Sequence, residues 1–554
     1  MKPPPKLKAT HNIVQSAKWL NATNIILVTL AILPMIGVLW KAMGDASDVW
    51  PHLLSYVLPQ STSTTLILLV GVAFFAVVFG STTSWLTSQY NFPFKSIYKW
   101  ALVMPLAIPT YISAYTYGEF LDFTGPVQTF YRELTGYKSA RDYWFPDIRS
   151  TTGAVFLMSL VLYPYVYLPA RLSFQMQNAS LNDVARVLGA GPIKLFLRVA
   201  LPAARPAIAV GVMLALMEAL NDIGAVEYLG VRTLTFSIYD TWLNRSSLAG
   251  AAQIALMLLA VVAFLMYVEN KMRAQQKYSD GRNKVTNNEP TNLHGVKAAL
   301  ASLWCFLPLF LGFLIPFWQL LKFSFQRLEL GLKPELYQAA YNSILVAVIT
   351  AVVCTASAFL IVYSYGRVGQ TKTIVFKKLA GFGYAVPGTI LALGTISVAA
   401  FFDNSLDAFM QKYFDIKTGL LISGSIAILV YASTVRFLTI AMGNIETGYS
   451  KISSNLSSAS RTLGRSEFQT VKEIDLPLLR PAFATAMLLV LVDTMKELSA
   501  TLLLRPFNFN TLSTYVYELA SRGLFEDAAI AALLIVIIGL VPVYLLTKLS
   551  LKDG

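Results

Sequence analysis

The stretch DVARVLGAGPIKLFLRVALPAARPAIAVG, residues 183–211, returns as SASRTLGRSEFQTVKEIDLPLLRPAFATA, residues 458–486. Gly189 pairs with Gly464, a spacing of 464 − 189 = 275. Leu201-Pro202 pairs with Leu476-Pro477 and Arg205-Pro206 with Arg480-Pro481 at the same spacing. Pro109 pairs with Pro387, and the TLT at Thr233 with the TLS at Thr511, both at 278. Chance likeness between apolar helices does not keep Gly, Leu-Pro and Arg-Pro in register across a polar loop. The chain therefore reads as a tandem duplication: 1–269, a polar linker 270–295, and 296–554.

Composition says where such a duplication resides. Of 554 residues, 55% are hydrophobic and 13% charged, and the mean hydropathy is +0.57. Soluble domains are about a quarter charged, so a soluble enzyme and a disordered regulator are excluded. Apolar runs of about 20 residues fall at Asn24–Trp40, Thr64–Trp85, Tyr98–Tyr117, Thr152–Ser173, Ala203–Ala225 and Ser247–Val268. In the second half they fall at Val296–Leu321, Asn342–Tyr365, Phe376–Phe401, Thr418–Ala441, Pro481–Leu504 and Ala528–Leu549. The expectation is an all-α polytopic membrane protein with twelve transmembrane helices in two parallel six-helix repeats. Helices are required because lipid offers the backbone no hydrogen-bond partner.

The net charge of +14 is the mark of basic loops, not of nucleic-acid binding. Lys2, Lys6, Lys8 and Lys18 stand in the N-terminal tail, and Lys271, Arg273, Lys277, Arg282 and Lys284 in the linker. Arg367, Lys372, Lys377 and Lys378 follow the eighth span. Asp45, Asp48, Asp403, Asp407 and Asp415 lie in the alternate loops. The positive-inside rule then places both termini and the linker in the cytoplasm. The first run has the basic start of a signal peptide, but its removal would leave five spans in the first half, so it reads as a retained anchor. Cys305 and Cys354 both sit in apolar runs, and His11, His52 and His294 outside them; no stable metal site and no bound cofactor are expected.

The repeated loop resembles the signature cytoplasmic loop of permease subunits of bacterial ABC importers: E-A-A, three residues, Gly, nine residues, I-x-L-P. The first copy carries Asp183, Ala185, Arg186, Gly189, Leu201 and Pro202. The second carries Ser458, Ala459, Arg461, Gly464, Ile474, Leu476 and Pro477. The spacing is kept, while the Glu is Asp in one copy and Ser in the other. Each copy reads as a short helix closed by a Gly cap, then a second short helix running to Leu-Pro, where the next span begins. The resemblance implies the type I ABC importer permease fold, with each loop seated in a cytoplasmic ABC ATPase. Two loops imply two ATPase copies, and a periplasmic or lipid-tethered solute-binding protein would deliver substrate. The alternative for the loop is a basic surface helix lying on lipid headgroups. The dipeptide Gly-Lys is absent from the chain, so it has no Walker A loop and ATP is used by the partner. The implied location is the bacterial inner membrane.

Three further stretches, 104–128, 217–242 and 495–521, resemble the fused permeases of ferric-iron importers. Ferric ion is hard and takes oxygen ligands. Glu218 and Asp222 share a helical face, and Asp493 and Glu497 are their equivalents at 275. Intramembrane acids default to a functional reading, here a translocation pathway or gate. The alternative is locally paired helix-end charges. Tyr111 and Tyr115 add phenols near the outer span ends, as do Tyr163, Tyr165 and Tyr167, although tyrosine is also enriched at membrane interfaces. Thiamine, a polyamine or an organophosphonate are the rival solutes. An ATPase-independent secondary transporter is the rival class, and a membrane-embedded enzyme is more remote still.

Overall fold

Proline decides which apolar runs are whole helices and which are broken. The computed structural model describes residues 7–552 except 178–188, 280–289, 369–376, 378, 454–455, 457–458 and 461. Among the described residues, ten helices are long and apolar enough to cross a membrane. The count is eleven if Thr151–Leu162 and Pro164–Met176, bent by 44°, form one span. The expected twelfth, Tyr98–Tyr117, is not one helix. It consists of Lys95–Ala101, a 3-10 turn at Met104–Ala107, and Thr110–Leu121. Pro109 forces its predecessor out of the helical region, and Ile108 is extended at φ −94°, ψ 116°. The ninth run breaks the same way. Val386 is extended before Pro387, so the helix spans Gly388–Phe414 rather than starting at Phe376.

Other prolines are passed without a break. The π turns Leu53–Val57, Phe196–Ala200, Phe310–Leu314 and Val471–Asp475 are each followed by one residue and then Pro59, Pro202, Pro316 or Pro477. A helical proline lacks an N–H and crowds the carbonyl four residues back. The wider π turn bonds five residues back instead, from Leu201 N–H to Phe196 C=O and from Leu476 N–H to Val471 C=O. The segment after each repeated Gly therefore runs unbroken through Leu-Pro into the long helix, Pro192–Asn221 in the first copy. The expected separate second short helix is absent.

The helices pack as two compact units, Met1–Met43 with Gln338–Thr511, and Gly44–Tyr337 with Leu512–Gly554. These cut across the halves 1–269 and 296–554, because the helix Leu7–Ala42 packs with second-half helices. In the first unit that helix lies against Gly388–Phe414. A Cβ on Gly394 would stand 2.0 Å from the Pro34 carbonyl oxygen, and one on Gly37 2.5 Å from the Gly394 carbonyl oxygen. Such small-residue contacts let backbones approach where lipid supplies no hydrophobic drive. Val28, Ala31, Ala351, Cys354, Ile361, Phe437, Ala441 and Val490 form this unit's core.

The second unit uses the same device. Gly71 meets Val155, Gly80 meets Val166, and Gly211 meets the Tyr165 carbonyl. There the linker's end is tied to an earlier loop, with Thr291–Asn292 pairing in parallel with Tyr90–Asn91. Phe525–Lys552 packs on Ile315–Gln326 and on Leu512–Ser521.

Gly394→Leu overfills the closest helix contact. It is expected to destabilise the first unit by about 1–3 kcal/mol and to expose the Leu7–Ala42 helix. Lowered melting in detergent and new thiol labelling of the native Cys354, buried in this core, would report it; an unchanged melt would count against this contact.

Candidate functional site

Both copies of the repeated loop turn on a glycine in the left-handed region, Gly189 at φ +79° and Gly464 at φ +80°. In the second copy the Arg465 N–H donates to the Ser460 carbonyl at 3.1 Å and Leu463 N–H to Ala459 at 3.0 Å. The bond across five residues is the Schellman closure that a C-terminal Gly permits. The Ser460 and Thr470 hydroxyls meet at 2.9 Å and tie the two helical arms together. Large apolar side chains point outward: Ile193 and Leu197 in one copy, Leu463 and Phe468 in the other. Ile474, Leu476 and Pro477 lie along the helix after the second Gly, as Leu201 and Pro202 do after the first. Asp183, Ala185, Arg186, Ser458 and Arg461 lie outside the described residues.

The expected acid pairs sit at helix breaks. Leu201–Asn221 ends where Asp222 accepts the Ala225 N–H at 2.9 Å and starts Ile223–Tyr228. Leu476–Lys496 ends 275 residues on, where Glu497 accepts the Ala500 N–H at 2.9 Å beside Ser499–Leu504. Both acids cap amides that the break would otherwise orphan. Glu497 also faces Arg436 at 3.3 Å, with both side chains about 5% exposed. The pair lies against Gly388, where a Cβ would be 2.7 Å from the guanidinium and 2.9 Å from the carboxylate. Sequence reading missed Arg436; its signal was a lone Arg inside an apolar run. Glu218 and Asp222 belong to the second unit, Asp493 and Glu497 to the first.

The phenols converge more than the reading expected. Tyr111 and Tyr115 are buried, their rings 5.9 Å apart, and Tyr115 stacks edge-on against Tyr228 at 4.7 Å. Tyr115 opens onto a cavity of about 350 Å³ lined also by Glu119, Arg149, Glu227, Tyr228 and Tyr517. The Tyr517 hydroxyl donates to Glu227 Oε2 at 2.8 Å, and Arg149 donates to the Tyr228 oxygen at 3.3 Å. Burial holds Glu119 above the ordinary carboxyl range, reinforced by Asp122 and Glu526 and opposed by Arg149. Burial also raises Glu227, against the pull of the Tyr517 hydroxyl. Tyr163 and Tyr167 are interior side chains. They are fully buried, and the Tyr167 hydroxyl reaches the Lys99 carbonyl at 3.2 Å, beside the basic loop of the unit.

Residues 76–274 match the family described as binding-protein-dependent transport system inner membrane component. Over 96% of the chain, and 99% of the relative, it is 25% identical to the Fe(3+)-transport system permease protein FbpB 2 of Haemophilus influenzae. It is 29% identical over 132 residues to the putative 2-aminoethylphosphonate permease PhnV of Salmonella typhimurium, 24% of this chain and 50% of that one. Against the molybdenum permease ModB of Escherichia coli it is 25% identical, over 38% of this chain and 90% of that one. With the apolar helical architecture, these likenesses are to multi-pass inner-membrane permeases of the ABC importer class. Residues 76–274 carry the binding-protein-dependent permease domain, whose members are membrane subunits rather than enzymes.

Nothing lies within 4 Å of a Cβ built on Gly464, so substitution there tests backbone conformation alone. Gly464→Ala is expected to strain the loop by roughly 1–2 kcal/mol and to lower ATP hydrolysis in the assembled importer. Gly464→Asn, which tolerates the left-handed region, should retain more activity; equal losses would refute the cap. Arg436→Met leaves Glu497 buried without its ion partner and should cost about 3–5 kcal/mol. Arg436→Met with Glu497→Gln should recover much of that loss in a melting assay.

Proposed function

We propose that this chain is the membrane-spanning permease of a ferric-iron importer, moving iron from a periplasmic or lipid-tethered binding protein to the cytoplasm by alternating access. The observation that carries the reading is the likeness to an Fe(3+)-transport permease along 96% of the chain, through both sequence halves. The phosphonate and molybdenum permeases match 24% and 38% of it. The carboxylates and phenols of the outer cavity suit a hard cation.

In this reading both termini are cytoplasmic, as the basic tail and linker require. Each repeated loop offers its outward apolar residues, Ile193 and Leu197 or Leu463 and Phe468, to one of two ATPase copies. Nucleotide-driven closure of those copies moves the loops as rigid bodies. The unbroken helices after Gly189 and Gly464 carry the movement to the breaks at Asp222 and Glu497. ATP is consumed by the partner, and this chain holds no cofactor. An organophosphonate is the second reading, favoured by the 29% identity to PhnV.

Cells lacking this chain and any other iron importer should fail to accumulate labelled ferric iron and should recover when it is restored. Uptake of 2-aminoethylphosphonate and thiamine should be unchanged. Normal iron uptake in the deletion, or loss of phosphonate uptake alone, would overturn the substrate. Affinity purification of the chain should bring an ATPase with it; the isolated chain catalysing uptake alone would overturn the class.

A further inference from the structure

The cavity beside Tyr115 has features that the helix caps and docking loops do not use. Its lining comes from four places in the second unit: the helix Thr110–Leu121, the residue before Ser150, the short helix Ile223–Tyr228, and the helix Leu512–Ser521 with its closing turn. The oxygens presented are the carboxylates of Glu119 and Glu227 and the phenols of Tyr115, Tyr228 and Tyr517. Asp122 and Glu526 add negative charge around Glu119, with Arg149 the opposing cation. Tyr115 is 1% exposed, and its hydroxyl makes no hydrogen bond with a described residue.

We propose that this cavity is the receiving site for the transported ferric ion, held by Glu119 and Glu227 together with the phenolate oxygens of Tyr115, Tyr228 and Tyr517. The assignment rests on the ferric-import reading. Three observations carry it. First, among the described residues no three His, Cys, Asp or Glu side chains group as a metal site, so a cation held in this cavity needs the phenols as well as the two carboxylates. Phenols become good ligands only for a cation acidic enough to displace their protons. Each phenol that binds releases its proton to water, and nothing is oxidised or reduced. Second, Arg149 donates to the Tyr228 oxygen and so opposes the burial that raises that phenol. Tyr517 already sits on Glu227, so two donors are held together before the ion arrives.

Third, most of the site comes from the first sequence half. At the spacing of 278, Tyr115 and Glu119 correspond to Leu393 and Ser397. At 275, Arg149, Glu227 and Tyr228 correspond to Gly424, Leu502 and Leu503. Tyr517 comes from the other half and its counterpart at 278 is Tyr239, so one phenol recurs while the carboxylates and the other two phenols do not; a donor set demanded by the frame would recur whole.

The test is titration of the purified full chain, in lipid nanodiscs, with ferric nitrilotriacetate. Phenolate bound to ferric ion has a visible charge-transfer band that carboxylate-bound iron lacks. The wild type should develop this band, Tyr115→Phe and Tyr517→Phe should weaken it, and Tyr115→Phe/Tyr228→Phe/Tyr517→Phe should abolish it. Glu119→Gln with Glu227→Gln should raise the apparent KM for iron uptake at least about tenfold at unchanged chain level and ATPase association. The single Phe variants keep the rings, so they test the oxygens even if the Gln pair assembles poorly. No band on the wild type, or a full band in the triple Phe variant, overturns the site. If uptake still depends on the chain in that case, the ferric permease reading stands without it. Iron uptake independent of the chain overturns both.

Discussion

An unpartnered peptide group is costly inside a bilayer because no water can reach it. The breaks in these helices are arranged around that cost. Where Leu201–Asn221 stops, Asp222 takes up an amide of the next helix, and Glu497 does the same after Leu476–Lys496. Where a proline would remove a bond inside a helix, a π turn comes before it and the chain continues. The two devices have different mechanical results. A capped break gives a corner at which a short helix can turn, whereas a π turn keeps the segment after Gly189 or Gly464 continuous with its long helix.

That difference separates what hydropathy can reveal from what it cannot. The apolar runs located most of the helices, because burial in lipid demands long apolar segments whatever they pack against. Tyr98–Tyr117 misled because composition averages over Pro105 and Pro109, while the backbone obeys each proline separately. The repeated Gly and its spacing were legible, since a left-handed cap leaves a sequence mark. Asp222 and Glu497 were singled out as intramembrane acids, but periodicity could not show that they cap helices. Their amide partners are three residues on, across a break that the helical pattern does not announce.

Contacts between distant segments were the least legible. Glu497 meets Arg436 from another helix, and Glu227 meets Tyr517 across 290 residues of sequence. Neither has a local spacing rule. Tyr115 was named as an oxygen donor without Glu119, Arg149, Glu227 or Tyr228, because the cavity that joins them exists only after four segments pack. The duplication supplies a signal that could have found them. Polar residues whose partners in the other half are apolar, such as Glu227 against Leu502 or Arg436 against Val161, mark places where a shared frame diverged.

The divergence runs in both directions, and this bears on transport. One half holds Arg436 against Glu497 beneath Gly388, a pair whose charges are spent on each other. The other supplies Glu119, Glu227, Tyr115 and Tyr228 to an open cavity that Tyr517 of the second half completes. A pathway must bind its ion well enough to admit it and weakly enough to release it. On the ferric-import proposal, complete donor sets in both halves would surround a trivalent cation with anionic oxygens and hold it. The single set proposed, in which each phenol would lose a proton to bind and regain it on release, would limit the affinity through that proton exchange. Fusing the halves into one chain makes such an arrangement available, because a residue in one half then changes without its counterpart changing too.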